Sequence, residues 1–195
     1  MKALIMGAVL AVSALGGNVM AESKKALFAG GCFWCMQSEF KDVKGVTGSL
    51  VGYAGGTVEN PTYEQVGTGT TGHREALEVT YDPAQVSYEK LLEVFWSNVD
   101  PLDATGQFCD QGPQYKSGIF VADDAERKAA EASKVALQTK LGKPVATDIL
   151  PTSKFWPAEA YHQNYSETNP FKYRLYRTGC GRDGRLNEIK SMKNK

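Results

Sequence analysis

Lys25-Ala26-Leu27-Phe28-Ala29-Gly30-Gly31-Cys32-Phe33-Trp34-Cys35-Met36 is the stretch that decides the fold. Lys25 to Gly30 is short and apolar and reads as a strand closed by a Gly-Gly turn. From Phe33 to Lys41 the period changes: Phe33, Met36 and Phe40 share one helical face. A strand, a tight turn and a helix therefore meet at Cys32. A thiol at a helix start is exposed to unpaired backbone N–H groups and to the positive end of the helix dipole, and both favour the thiolate. The alternative reading is a buried structural cysteine, a common environment for this residue.

Outward from this stretch the elements alternate in type. Val46 to Tyr53 reads as a strand ending at Gly55-Gly56. Asn60 to Gly72 is polar and rich in Gly and Thr, and is expected to be a loop long enough to carry function. Glu75 to Tyr81 sets Ala76, Glu78 and Thr80 against Leu77, Val79 and Tyr81, a half-buried strand. On local pattern alone Glu75 is a solvent-facing strand residue. Ser87 caps a helix through Val99 with Leu91, Leu92, Phe95 and Trp96 as its core stripe. Gly118 to Val121 is a strand. Asp123 or Asp124 opens a helix to Leu141, with Ala129, Ala132, Val135 and Ala136 as its buried side and Gly142 as its stop. Thr147 to Leu150 is a strand and Ala158 to Tyr165 a short helix. Beyond Asn169 the chain is basic and Gly-rich. The expected fold is α+β, a two-layer sandwich with a mixed, ferredoxin-like sheet and an irregular C-terminal tail.

The chain has 195 residues, with 22 basic and 22 acidic side chains. That balance gives no electrostatic footprint for nucleic acid. Met1-Lys2, the apolar run from Ala3 to about Leu15 and Val19-Met20-Ala21 read as a signal peptide over residues 1–21 cut after Ala21, and residues 22–195 as one domain. The expectation is an exported, periplasmic protein with no stable membrane insertion after cleavage. An uncleaved anchor is the alternative. All four cysteines, Cys32, Cys35, Cys109 and Cys180, lie beyond that segment, and four cysteines allow three full pairings.

Cys32 and Cys35 form a Cys-x-x-Cys, a redox spacing and also half of a zinc site. Cys109 and Cys180 stand alone and the two histidines have no paired spacing, so no metal site is expected. His73 and His162 read as structural. Phe33 and Trp34 are either core aromatics or the walls of an apolar pocket. A thiol–disulfide oxidoreductase using Cys32 and Cys35 is the rival enzyme reading, and a disulfide-stapled or metal-stapled secreted binding domain the non-enzymatic one.

Gly30-Gly31-Cys32-Phe33-Trp34 resembles the signature of the methionine sulfoxide reductase A family, the peptide-methionine (S)-S-oxide reductases. Gly52-Tyr53-Ala54-Gly55-Gly56, Asn60-Pro61-Thr62-Tyr63, Thr71-Gly72-His73-Arg74-Glu75, Asp110 through Ser117, and Tyr161-His162-Gln163-Asn164-Tyr165 resemble the same family in the same order. The resemblance spans about residues 25 to 181. It implies that Cys32 is the nucleophile and that Phe33 and Trp34 cradle the S-methyl group of the substrate. It also implies that Glu75, Tyr63 and Tyr115 surround the sulfoxide oxygen, with Asp110 in support. These roles make chemical sense. A sulfoxide sulfur becomes electrophilic when its oxygen is protonated, and a carboxyl group with a raised pKa can supply that proton. Attack leaves a sulfenic acid on Cys32, which a second thiol condenses with. Cys180, in a Gly-rich tail, is the first expected resolving residue, Cys35 the second and Cys109 the third. The family resemblance further implies oxidised proteins or peptides as substrates and a thioredoxin-like protein as external reductant, with no bound cofactor.

Overall fold

The computed structural model describes residues 22–193, so the apolar N-terminal run lies outside the described residues. In chain order the strands and helices are β1 (Lys24–Ala29), α1 (Phe33–Phe40), β2 (Val46–Ala54), α2 (Tyr63–Gly67), β3 (Arg74–Tyr81), α3 (Tyr88–Ser97), β4 (Gly106–Gln107), β5 (Asp110–Gln111), β6 (Gly118–Val121), α4 (Asp124–Leu141), β7 (Asp148–Pro151), β8 (Trp156–Pro157), α5 (Tyr165–Thr168), α6 (Pro170–Gly179) and α7 (Arg182–Lys193). Six strands form one sheet in the order β7-β6-β1-β3-β2-β8, and β4-β5 form a small separate hairpin. All pairings in the large sheet are antiparallel except β6 with β7. The architecture is therefore mixed α+β with a mostly antiparallel sheet.

The two-residue period of β1 sorts its side chains. Ala26 and Phe28 enter the principal core, whereas Leu27 and Ala29 join a smaller cluster with Ala54, Ala76 and Phe120. Phe40, Tyr88 and Phe95 stack around Phe28, so α1 and α3 pack on the sheet through aromatic faces. The helix ends follow local chemistry. The Ser87 side chain accepts from the Lys90 amide, and Asp123 from the Glu126 amide. Gly142 closes α4 in the left-handed conformation at φ 60°, which glycine adopts without a Cβ clash. Among the described residues no helix is long and apolar enough to cross a membrane.

Four expectations need correction. The segment 158–165 is not a continuous helix: a 3-10 turn at Ala160–His162 precedes α5, which begins only at Tyr165. The segment 60–72 contains a helix, α2, opened by a capping box in which Thr62 accepts from the Gln65 amide and Gln65 from the Thr62 amide. The buried line of α4 is Ala130 and Leu137, and Val135 is exposed. The C-terminal segment is not an irregular tail: it forms α6 and α7, with Tyr173, Arg182 and Ile189 buried against the body. Composition misled here because the helical faces are narrow, and their order comes from tertiary contact rather than propensity.

Candidate active site

Cys32 is placed by two glycines. A Cβ on Gly30 would come within 2.4 Å of the Met36 sulfur, and one on Gly31 within 2.5 Å of the Gln107 Cβ. Gly31 also has φ +76°, so the sharp descent from β1 into α1 requires glycine. Cys32 is the N-cap residue of α1, but its side chain caps nothing. The Phe33 amide at the helix start instead donates to Glu75 Oε2 at 2.9 Å, across from β3.

Glu75 is thus buried, not solvent-facing, and only 3% exposed. The alternation in β3 contains the reason. Leu77, Val79 and Tyr81 belong to the principal core, and counting back by two from Leu77 reaches Glu75 on the same face. Parity could have found this residue without any family. Burial pushes its carboxyl up to about 8. The Phe33 amide opposes that shift, while charges at Asp110 and Cys35 add to it.

Cys32, Phe33, Trp34, Tyr63, Glu75, Asp110, Tyr115 and Tyr176 line one cavity of about 50 Å³. Every residue expected to bind substrate is present, and Tyr176 joins them. Larger clefts elsewhere, such as that of about 470 Å³ beside Leu50, Phe120 and Phe155, contain none of these groups. The Phe33 and Tyr63 rings stack with centroids 6.4 Å apart. Trp34 stacks on Tyr165 with centroids 3.8 Å apart, and its indole N–H donates to His162 Nδ1 at 3.0 Å. Tyr63 is pushed up to about 12 by burial and by the Glu75 and Cys32 charges, and burial also raises Tyr115. Both phenols therefore keep their protons as hydrogen-bond donors.

Both histidines hold neighbouring groups by hydrogen bonds. His73 accepts from the Gly56 amide at Nδ1, and its Nε2 bonds the Val58 carbonyl at 2.7 Å. His162 fixes the Trp34 ring, and burial holds it neutral. Glu159 and Tyr176 escaped sequence reading. Glu159 accepts from the Tyr53 hydroxyl and the Tyr63 amide, both at 2.8 Å, and so fixes the start of α2. Tyr176 donates to the Asp110 carboxylate and interacts with Cys32. Its place on α6 leaves no signal when the segment reads as an irregular tail.

The four cysteines divide into two pairs. Cys109 and Cys180 form a disulfide. Cys180 is therefore not a swinging tail residue: it ends α6, its amide bonds the Tyr176 carbonyl, and its sulfur is held by Cys109. Cys32 and Cys35 are free and buried. Cys35 lies inside α1 but clusters with Cys32 and Tyr173, so the helix aims it at the nucleophile position. Burial pushes the Cys32 thiol up. Hydrogen bonding with Cys32 pulls Cys35 down, against burial, with help from the Arg182 and Arg177 charges and from Tyr173. These are two halves of one titration: the first proton leaves the pair readily and the second with difficulty.

A buried thiol pair at a helix start, facing a protonated carboxyl across an apolar, phenol-lined cavity, defines a thiol-dependent oxidoreductase. Comparison with known proteins narrows the class. The peptide methionine sulfoxide reductase family profile matches residues 24–194. A peptide methionine sulfoxide reductase of Bacillus licheniformis is 49% identical over 176 residues, covering 87% of this chain and 95% of that protein. One from Caulobacter vibrioides is 45% identical, covering 97% and 98%. Among solved structures, reduced Mxr1 of Saccharomyces cerevisiae superposes with a TM-score of 0.73 at 31% identity, covering 80% of this chain and 92% of that one. Methionine sulfoxide reductase A of Corynebacterium diphtheriae gives 0.68 at 32% identity, covering 79% and 77%. The chain belongs to the peptide methionine sulfoxide reductase family.

Proposed function

We propose that this enzyme reduces methionine S-sulfoxide, free or within oxidised proteins, as a repair activity. The observation that carries the reading is the Glu75 carboxyl, buried and raised to about 8, in the same cavity as Cys32. Phe33 and Trp34 receive the S-methyl group, and Tyr63, Tyr115 and Glu75 receive the oxygen, with Asp110 holding Tyr176 in place. Cys32 attacks the sulfoxide sulfur as the thiolate, with Cys35 protonated, while Glu75 protonates the oxygen. The hydroxyl then passes to the Cys32 sulfur as the substrate S–O bond and the transient bond between the two sulfurs break, so methionine leaves two electrons richer and Cys32 becomes a sulfenic acid. Cys35 then attacks the Cys32 sulfur. The S–S bond forms and the oxygen departs as water with the protons from Glu75 and Cys35.

Cys35 fits the resolving role better than Cys180 because its sulfur is free and already beside Cys32. A thioredoxin-like dithiol then reduces the bridge. A structure of yeast Mxr1 in complex with Trx2, with a TM-score of 0.53 at 25% identity, supports that class of donor. Export to the periplasm, with cleavage after Ala21, completes the proposal. A disulfide such as Cys109–Cys180 accords with an oxidising compartment.

One equivalent of a methionine S-sulfoxide peptide tests the reading. Free thiols should fall by two, methionine should appear, and peptide mapping should find a Cys32–Cys35 bridge beside an untouched Cys109–Cys180. Turnover without thiol loss would remove the mechanism. A Cys32–Cys180 bridge would restore the tail cysteine as resolver.

A further inference from the structure

Arg182 opens α7 and is 1% exposed, the largest fully buried side chain among the described residues. A buried guanidinium normally has a carboxylate partner, because an uncompensated charge in the interior costs several kcal/mol. Among the described residues Arg182 forms no salt bridge. Its Nη2 donates to the Asn98 carbonyl and lies 3.6 Å from the Met36 sulfur, a weak acceptor. Its guanidinium sits 4.4 Å from the Phe108 ring centre, and its Nε is buried without a partner. None of these contacts neutralises the charge.

Met36 follows Cys35 in α1, and both are buried at 1% exposure. The unpaired cation is thus packed against the helix turn that holds the thiol pair. We propose that Arg182 is the positioning residue for the resolving half of the reaction: its charge holds the Cys35 sulfur in the thiolate form. The proposal rests on the reading of Cys35 as resolver.

The charge would act twice in one cycle. When Cys35 attacks the sulfenic acid on Cys32, a nearby cation raises the fraction of Cys35 present as thiolate. When a dithiol donor later attacks the cavity-facing Cys32 sulfur, the S–S bond breaks and the electron pair leaves on Cys35. A stabilised thiolate is the better leaving group there, and the donor ends as its own disulfide. The bridge at Cys109–Cys180 explains how the cation keeps its place. Phe108 precedes Cys109 and Arg182 follows Cys180 by two residues, so the disulfide joins the two halves of the cation–ring stack.

Other charges face the pair and must be held constant in any test. Arg177 and Tyr173 of α6 act on Cys35, Tyr176 of the same helix acts on Cys32, and Glu75 of β3 faces both. Arg182 also acts on Asp110, so the first chemical step is the internal control.

The experiment compares the full-length wild type with Arg182→Met and Arg182→Lys, each with the Cys109–Cys180 bridge intact. Thiolate absorbance then reports only the Cys32/Cys35 pair. In Arg182→Met the midpoint for the first thiolate should rise by about one pH unit or more. Closure of the Cys32–Cys35 bridge at neutral pH should slow about fivefold, because with a midpoint near 7 a rise of about one pH unit takes the thiolate fraction from about a half to about a tenth. Release of the first methionine should stay within about twofold, and a sulfenic acid at Cys32 should become trappable by a dimedone-type probe. Arg182→Lys should fall between the two, because an ammonium keeps the charge but not the stack. If Arg182→Met does not fold, Arg182→Gln, neutral but still able to donate to the Asn98 carbonyl, decides: an unmoved midpoint with unchanged closure refutes the proposal. So does a parallel fall in methionine release and closure, which would mark Arg182 as general support for the fold. A wild-type bridge from Cys32 to any other cysteine overturns the resolving reading and with it this role. An intact Cys32–Cys35 bridge with an unmoved midpoint overturns the Arg182 assignment alone.

Discussion

The two cysteine pairs differ in spacing, burial and oxidation state, and on the proposed mechanism they serve opposite purposes. Cys32 and Cys35 are three residues apart on one helix start, buried, reduced and surrounded by phenols and arginines. Cys109 and Cys180 are 71 residues apart, join the β4–β5 hairpin to the junction of α6 and α7, and are oxidised, with Cys109 exposed. The difference lies in what a bridge does to the rest of the chain. Closing a loop of a few residues within a preformed turn alters little beyond two side chains, so such a bond can open and close in every cycle. Closing a long loop removes far more freedom from the unfolded chain and is suited to holding a fold together. On the proposed mechanism, sequence separation thus divides the cysteines into a working pair and a bracing pair.

The hardest test of this division is Cys32→Ser. It should abolish sulfoxide reduction while leaving the far-ultraviolet circular dichroism and the Cys109–Cys180 bridge intact. Residual turnover close to wild type would move the working pair elsewhere.

Glu75→Gln should follow, with single-turnover methionine release slowed by about 100- to 10,000-fold at near-normal substrate affinity, the usual range for loss of a general acid. The wild-type pH profile gives the sign. Glu75 must be protonated to act, so the reductive step should decline as pH rises through about 8. The same raised pKa means that the folded state binds this proton more tightly than the unfolded chain does. Stability from that proton is full below the ordinary carboxylate range and is lost progressively up to about 8. Glu75→Gln should therefore gain thermal stability relative to wild type as the buffer is made alkaline. A flat difference between pH 5 and 9 would show that the carboxyl is not held protonated.

The smallest effect on turnover belongs to the bracing pair. Cys109→Ser combined with Cys180→Ser should lower unfolding stability by roughly 2–5 kcal/mol. Turnover per folded molecule should fall only a few-fold, as the Arg182–Phe108 stack loosens. Complete loss of recycling in that variant would erase the distinction, because the outer bridge would then be carrying electrons.

Much of this arrangement was legible in the chain itself, and the failures share a cause. Ser87, Asp123 and Gly142 announced their helix ends because capping is local chemistry. The Gly-Gly turn announced Cys32 for the same reason. Glu75 was legible in principle, since strand parity places it with Leu77 and Val79, but a charged residue at a strand end invites a solvent-facing reading. The pairing of Cys109 with Cys180 was not legible, because four cysteines permit three pairings and a 71-residue separation leaves no local trace. Arg182 was hidden for the same reason. Its partners, Met36, Asn98 and Phe108, come from three distant segments, and the glycines around Cys180 suggested flexibility where Gly181, at φ +68°, only turns the chain between two helices.

The hydrogen bond from the Phe33 amide to Glu75 has a consequence for the helix as well as for the substrate. A helix N-terminus ordinarily draws its cap from the residue before it; α1 borrows its cap from a neighbouring strand, and the borrowed group is the one assigned to give up a proton. A neutral carboxyl is a modest acceptor for an amide, whereas a carboxylate at a helix start is a strong one, favoured by the helix dipole. The grip on the first turn of α1 would therefore tighten each time Glu75 releases its proton and relax when it regains one. The turn that carries both Cys32 and Cys35 would be held most firmly during the interval in which their two sulfurs have to meet.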